Sequence, residues 1–65
     1  MHTAGEYRRA AREYRRAAAA CLNLAQEYNE TSPKRVLAEM ADEFLDLAEC
    51  AESIAEMERR RDMSD

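Results

Sequence analysis

The sequence predicts an all-α protein: an antiparallel helical hairpin of two long helices in one domain, residues 1–65. Composition is the first observation, since Ala, Glu, Arg and Leu dominate and there is one Gly, one Pro and no Trp, which favours helix over other structure. The second is a period of seven, because Glu-Tyr-Arg-Arg-Ala-Ala occurs at residues 6–11 and again at 13–18. A period of seven places the repeated residues on one face of a helix, where a partner helix can pack. The third is a single short polar break, which makes consecutive helices antiparallel neighbours.

The first helix is expected over residues 4–29. Thr3 and Glu6 fit a capping box, in which the Thr hydroxyl accepts a bond from a free backbone N–H and the Glu reaches back. With Tyr7 at heptad position a, the same position holds Tyr14, Cys21 and Tyr28. Position d holds Ala10, Ala17 and Leu24, and position e holds Ala11, Ala18 and Ala25. Four Arg residues at b and c are expected to face water.

A turn is expected over residues 30–32 and the second helix over 33–60. Ser32 is a suitable N-cap, and Pro33 suits the first helical position because its missing N–H has no intrahelical partner there. Position a then holds Leu37, Phe44 and Ala51, position d holds Met40, Leu47 and Ile54, and position e holds Ala41, Ala48 and Ala55. Ala at every e position lets the two backbones approach closely along that edge while the larger a and d residues interleave.

Folding about Thr31 pairs residues whose numbers sum to about 64. Cys21 then meets Phe44, whereas Cys21 and Cys50 are about seven residues out of register, roughly 10 Å along the axis. That separation excludes an intrachain disulfide. Charge agrees with the pairing, because residues 1–20 carry five Arg and two Glu while residues 39–58 carry eight acids and no base.

A chain of this length buries too little surface in one core to be comfortably stable alone. Its apolar positions also spread beyond a and d, over arcs wider than two helices can cover. We therefore predict a homodimer that forms an antiparallel four-helix bundle, a coiled-coil-like assembly. The residues expected near the dimer surface are Leu22, Leu45, Cys50, Ile54 and Met57. Cys50, near the edge, is also a candidate for an intermolecular disulfide or for sensing oxidants.

The sequence predicts no enzyme and no catalytic, cofactor or metal site. His2 is the single histidine, at a terminus expected to be frayed and without a partner, which excludes a His-based dyad or triad. The chain has no Gly-rich phosphate loop and no Ser nucleophile motif. Acids such as Glu39, Asp42 and Glu43 share a helix face, but Glu-x-x-His is missing, so a carboxylate-bridged metal site is disfavoured against a solvated face.

Charge and hydropathy limit the partners and the location. The net charge of −4 disfavours nucleic acid or an anionic membrane as the main partner, despite the Arg cluster at residues 8–16. The longest apolar run, residues 17–22, is too short for a membrane span or a secretory leader. The expectation is a cytoplasmic protein with reduced cysteines.

Residues 14–25 and 37–48 resemble a group of very small α-proteobacterial proteins common in rhizobia. The first pattern is Tyr-Arg-x-x-Ala-x-x-Cys-Leu-x-Leu-Ala, present here from Tyr14 to Ala25. The second is Leu-x-x-Met-Ala-x-x-Phe/Trp-Leu-x-Leu-Ala, present from Leu37 to Ala48. The resemblance covers about half the chain and implies a bacterial, cytosolic helical hairpin; it carries over no activity and no site residue.

These observations favour a non-enzymatic, self-associating structural or protein-interaction module. Its partner is a second copy of itself, and one other protein that would recognise the apolar arc of the second helix is a further candidate. The alternative is a small regulator that binds a toxin-like or nucleic-acid-associated partner protein through its charged faces. Salt separates the two, because charge-steered binding collapses in about 0.5 M NaCl and burial-driven association does not.

Overall fold

The computed structural model describes residues 2–63, which form two helices, α1 (Ala4–Ala25) and α2 (Thr31–Met63). Ala18 packs with Ala41 and Ala11 packs with Ala48, so the helices run antiparallel and the predicted all-α hairpin is confirmed. The molecule is a rod of 55 × 14 × 13 Å. Its radius of gyration is 15.3 Å, against about 11 Å for a compact chain of this length.

The start of α1 is held by a cap and by an ion pair. Thr3 is the N-cap, and its hydroxyl accepts a hydrogen bond of 3.2 Å from the backbone N–H of Glu6. The Glu6 carboxylate lies 2.6 Å from Nδ1 of His2, and the His2 ring meets the Tyr7 ring edge-on at 5.8 Å. The expectation that His2 has no partner is therefore wrong. His2 lies four residues before Glu6, one helical turn away, and the carboxylate is within its reach.

The turn comes earlier than expected, because α1 ends at Ala25 and not near residue 29. The backbone N–H groups of residues 26–28 donate to the carbonyls three residues earlier, at 3.0–3.2 Å. This spacing of three is the 3₁₀ pattern that tightens a last helical turn. Nζ of Lys34 donates to the carbonyl of Ala25 at 2.9 Å, so a side chain of α2 caps the end of α1.

α2 begins two residues before the expected residue 33 and ends three after the expected residue 60. Ser32 and Pro33 therefore lie inside the first turn. Pro33 is tolerated there because the first four N–H groups of a helix have no intrahelical acceptor. The end of the chain was expected to be disordered from Asp62, but the helix includes both Asp62 and Met63. Residues 1, 64 and 65 lie outside the described residues.

Small side chains alone form the core of the hairpin. The buried residues are Ala11, Ala18, Cys21, Ala41, Ala48, Ala51 and Ala55. Five of these residues are at e and two are at a, so the e positions lie inside the helix contact and not at its edge, and d residues such as Leu47 remain 45% exposed. This corrects the expected interleaving of a and d. Ala at e draws the backbones together, so the contact centres between a and e and the d residues move to the rim.

The register follows from two packed clusters along the contact. Ala18 packs with Cys21 and Ala41 near the turn, with Phe44 against them. A second cluster of Ala11, Ala48 and Ala51, with Tyr14 against it, lies nearer the open end. Tyr14 also stacks on Phe44, with ring centroids 6.3 Å apart. Pairs such as Ala18 and Ala41 sum to 59, below the expected 64, because the turn centres on residue 28. Both cysteines are free thiols.

Candidate interaction surface

The hairpin has two broad sides, one on each flank of the alanine contact. Successive residues of a helix point about 100° apart, so positions b and d lie about 80° to either side of the contact centre. Arg15 and Glu52, both at b, form an ion pair across one side. Ala10 and Ile54, both at d, line a shared groove on the other. The b positions of both helices thus face one way and the d positions face the other.

One side carries large exposed apolar side chains, and we call it the apolar face. Its members lie at d and g, with exposures from 37% for Ile54 to 65% for Met57. They are Leu24, Val36, Met40, Leu47, Ile54 and Met57. Single exposed apolar residues are ordinary, but a row of six along one side of a rod is typical of an interaction site.

A shallow groove runs along this face between the helices. The small side chain of Ala10 and the half-buried rings of Tyr7 and Tyr14 line it from α1, and Leu47 and Ile54 line it from α2. Cys50 also borders the groove. The groove exists because α1 presents Ala at d where α2 presents branched side chains. The lining is mostly apolar, so the shape and chemistry of the groove fit an apolar helix surface.

The predicted dimer residues divide between the two sides. Cys50, at g, and Ile54 border the apolar groove, and Met57 belongs to the same face by its g position. Leu22 and Leu45, 47% and 40% exposed, lie at b, one heptad from Arg15 and Glu52. The five residues therefore do not form one surface.

Sequence reasoning missed four residues of the apolar face. They are Leu24, Val36, Met40 and Leu47. Three of the four are d residues that were assigned to the intramolecular core. The signal that could have found them is the unbroken series of Ala at e in both helices, because a contact centred there leaves d at the rim.

The opposite side, which we call the polar face, combines Arg15 and Glu52 with Leu22 and Leu45. A hydrogen bond from the Arg15 guanidinium is the main cause that lowers the pKa of the Glu52 carboxyl. Both side chains are nearly half exposed, so the pair contributes little to stability and serves mainly to fix the register. Leu22 and Leu45 continue the same row toward the turn.

The C-terminal part of α2 extends past α1. With the observed register, Ala4 lies opposite residues 55–58, so the helix beyond Arg59 has no neighbour from α1. Glu56 accepts hydrogen bonds from Arg59 and Arg60, at 2.7 and 3.2 Å. These bonds, Arg59 first, lower the pKa of Glu56 to about 2. Ion pairs three and four residues apart support a solvent-exposed helix end.

A small cavity at the open end is the other concave feature. His2, Glu6, Tyr7, Arg9 and Ala10 line it. The hydrogen bond from His2 is the main cause that lowers the pKa of Glu6. This exposed pair has no nucleophile beside it, and its geometry is that of a helix-end ion pair.

Residues 2–63 contain neither a metal site nor a membrane span. No group of His, Cys, Asp or Glu in this range could hold a metal ion. No helix in the same range is long and apolar enough to cross a membrane. Comparisons of the chain with protein-family models, with curated proteins and with solved structures give no match.

Proposed function

We propose that this protein is a non-enzymatic, self-associating module that works as a homodimer, in which two hairpins join through their apolar faces into an antiparallel four-helix bundle. One observation carries the proposal. Among residues 2–63 no side chain larger than Cys is buried, whereas the large apolar side chains of the apolar face remain 37–65% exposed. A fold whose large hydrophobic residues lie outside its own core needs a second surface to bury them.

The magnitude of that burial supports a stable dimer. Full burial of a Leu-sized side chain contributes about 1.5–3 kcal/mol, so covering the half that is still exposed contributes about 0.7–1.5 kcal/mol. Six such residues on each copy give about 8–18 kcal/mol of gross stabilisation on the same scale. Association itself costs about 4–15 kcal/mol. A micromolar dimer needs about 8 kcal/mol of net free energy, which lies within the difference between these two ranges.

The same surface favours a function in protein interaction over a catalytic function. The concave features of the described chain are an apolar groove and an exposed ion pair, and neither places an acid, a base and a nucleophile together. In the dimer, the two polar faces remain in water. We propose that the module acts in the cytoplasm, in keeping with the free thiols Cys21 and Cys50.

Light scattering after size-exclusion chromatography tests the proposal. We expect twice the chain mass of 7.5 kDa at micromolar concentration, and the same mass in about 0.5 M NaCl, because burial of apolar surface is not screened by salt. A folded monomer at these concentrations would refute the proposal. A dimer that dissociates in salt would instead favour recognition through the charged faces.

A further inference from the structure

We propose that the second copy docks with its α1 over α2 of the first copy, so that both turns lie at the same end of the bundle. This arrangement rests on the proposed homodimer. A two-fold axis parallel to the rod produces it. The competing arrangement, with the axis across the rod, sets α2 over α2 and α1 over α1 and puts the turns at opposite ends. Both keep neighbouring helices antiparallel, so side-chain size and charge decide between them.

Size favours α1 over α2. On the apolar face α1 presents the small residues Ala10 and Ala17, with Leu24 as its one large residue near the turn. α2 presents the large exposed residues Met40, Leu47 and Ile54. If the turns share an end, the observed register places Ala10 of one copy between Leu47 and Ile54 of the other. It places Ala17 between Met40 and Leu47. Large side chains of one copy then pack around Ala of the other along most of the face, which fills space evenly, and Leu24 meets Met40 near the turn. In the competing arrangement, large residues face large ones along α2 and Ala faces Ala along α1.

Charge favours the same choice. Residues 8–16 of α1 carry five Arg, and residues 39–58 of α2 carry eight acids. With α1 over α2, the register brings Arg16 of one copy near Asp46 of the other on the outer edge of the interface. The competing arrangement sets the acidic helices against each other and brings the two Glu13 residues together near the two-fold axis. Like charges placed opposite each other oppose binding of the wrong orientation.

The distance between the two turns tests the arrangement. Asn29 lies in the turn, outside both helices, and is exposed, so a spin label there leaves the helix contact untouched. The chain to prepare is Asn29→Cys with Cys21→Ala and Cys50→Ala, measured by double electron–electron resonance with light scattering on the same sample. We expect a label separation of about 10–25 Å, from neighbouring helices 8–10 Å apart plus the label arms. Opposite ends would give about 50 Å, from 1.5 Å per residue along the rod.

A dimer of two differently labelled copies gives the distance between the turn of one copy and the end of α2 of the other. The mixed dimer is isolated through a different affinity tag on each copy. One copy carries the label at residue 29 and the other carries it at Asp62→Cys, near the end of α2. We expect a long separation between these labels, and the competing arrangement predicts a short one. A dimer with a separation of about 50 Å between the two residue 29 labels would refute the arrangement and leave self-association intact. A monomeric mass without dipolar coupling would refute both.

Discussion

Replacement of Leu47 tests which side of the hairpin associates. Leu47 lies at the middle of the apolar face and is 45% exposed. Leu45 lies two residues earlier on the same helix, is 40% exposed and points about 200° away, onto the polar face. Leu47→Gln and Leu45→Gln are therefore a matched pair, with the same change of chemistry and no change of charge. We expect only Leu47→Gln to weaken the dimer.

The size of the effect follows from the exposed half of the side chain. Covering it contributes about 0.7–1.5 kcal/mol, and the dimer contains two copies, so the lost burial is about 1.4–3 kcal/mol. Because each 1.4 kcal/mol changes Kd about tenfold, this loss raises Kd about 10- to 150-fold. An unpaired amide in the interface adds about 1–3 kcal/mol for each copy. The Leu45→Gln dimer should keep its Kd within about threefold, since a surface change of this kind is worth about 0.5 kcal/mol or less.

Sedimentation equilibrium over a concentration series measures both constants, and far-UV circular dichroism reports the helix content. Gln and Leu have nearly equal helix propensities, so any loss of helix in Leu47→Gln should follow dissociation and recover at high protein concentration. An equal or larger rise of Kd in Leu45→Gln would show that the polar face associates, which would refute the reasoning. Unchanged constants in both variants would refute association through either side.

Ala48 is 1% exposed within the helix contact and leaves no room for a larger residue. In urea titrations, Ala48→Leu should lower the free energy of unfolding by about 1–3 kcal/mol. The control Ala38→Leu, at an exposed position, should change it by no more than about 0.5 kcal/mol. Gly5→Ala should raise the melting temperature by about 2–8 °C, because the new Cβ meets Thr3 Oγ1 at an ordinary 3.7 Å and the unfolded chain loses freedom; a lower melting temperature would contradict this. The pKa of Glu56 is lowered from 4.5 to about 2, mainly by Arg59. Its contribution to folding is therefore complete above pH 4.5 and is lost as the pH falls toward 2. When helix content is followed in an acid titration, Glu56→Gln should flatten this part of the curve, and an unchanged curve would contradict the assignment.

Several features of the fold could be predicted from the residues alone. The repeat at residues 6–18 and the scarcity of Gly and Pro predicted two helices, and Thr3 marked the first of them correctly. Ala at every e position predicted a close approach of the two backbones. These features are local, or they repeat with the helical period, so a linear sequence contains them.

The ends of the helices near the turn could not be predicted in the same way. Gln26 and Glu27 are good helix formers, and nothing local marks Ala25 as the last helical residue. Its carbonyl instead accepts a bond from Lys34, nine residues later, a contact that exists only once the chain has folded back. Because the turn comes earlier than expected, the numbers of residues that face each other sum to about 60 and not to the expected 64.

The sequence by itself determined that this protein is a helical hairpin with a tight alanine edge and more apolar surface than two helices can bury. The tertiary structure decided which apolar residues remain uncovered. Helical periodicity fixes the angles between residues of one helix, but the direction of closest approach depends on both helices together. Here Ala48 and the other Ala residues at e lie buried in the helix contact, so Leu47 and the other large d residues remain exposed on the apolar face.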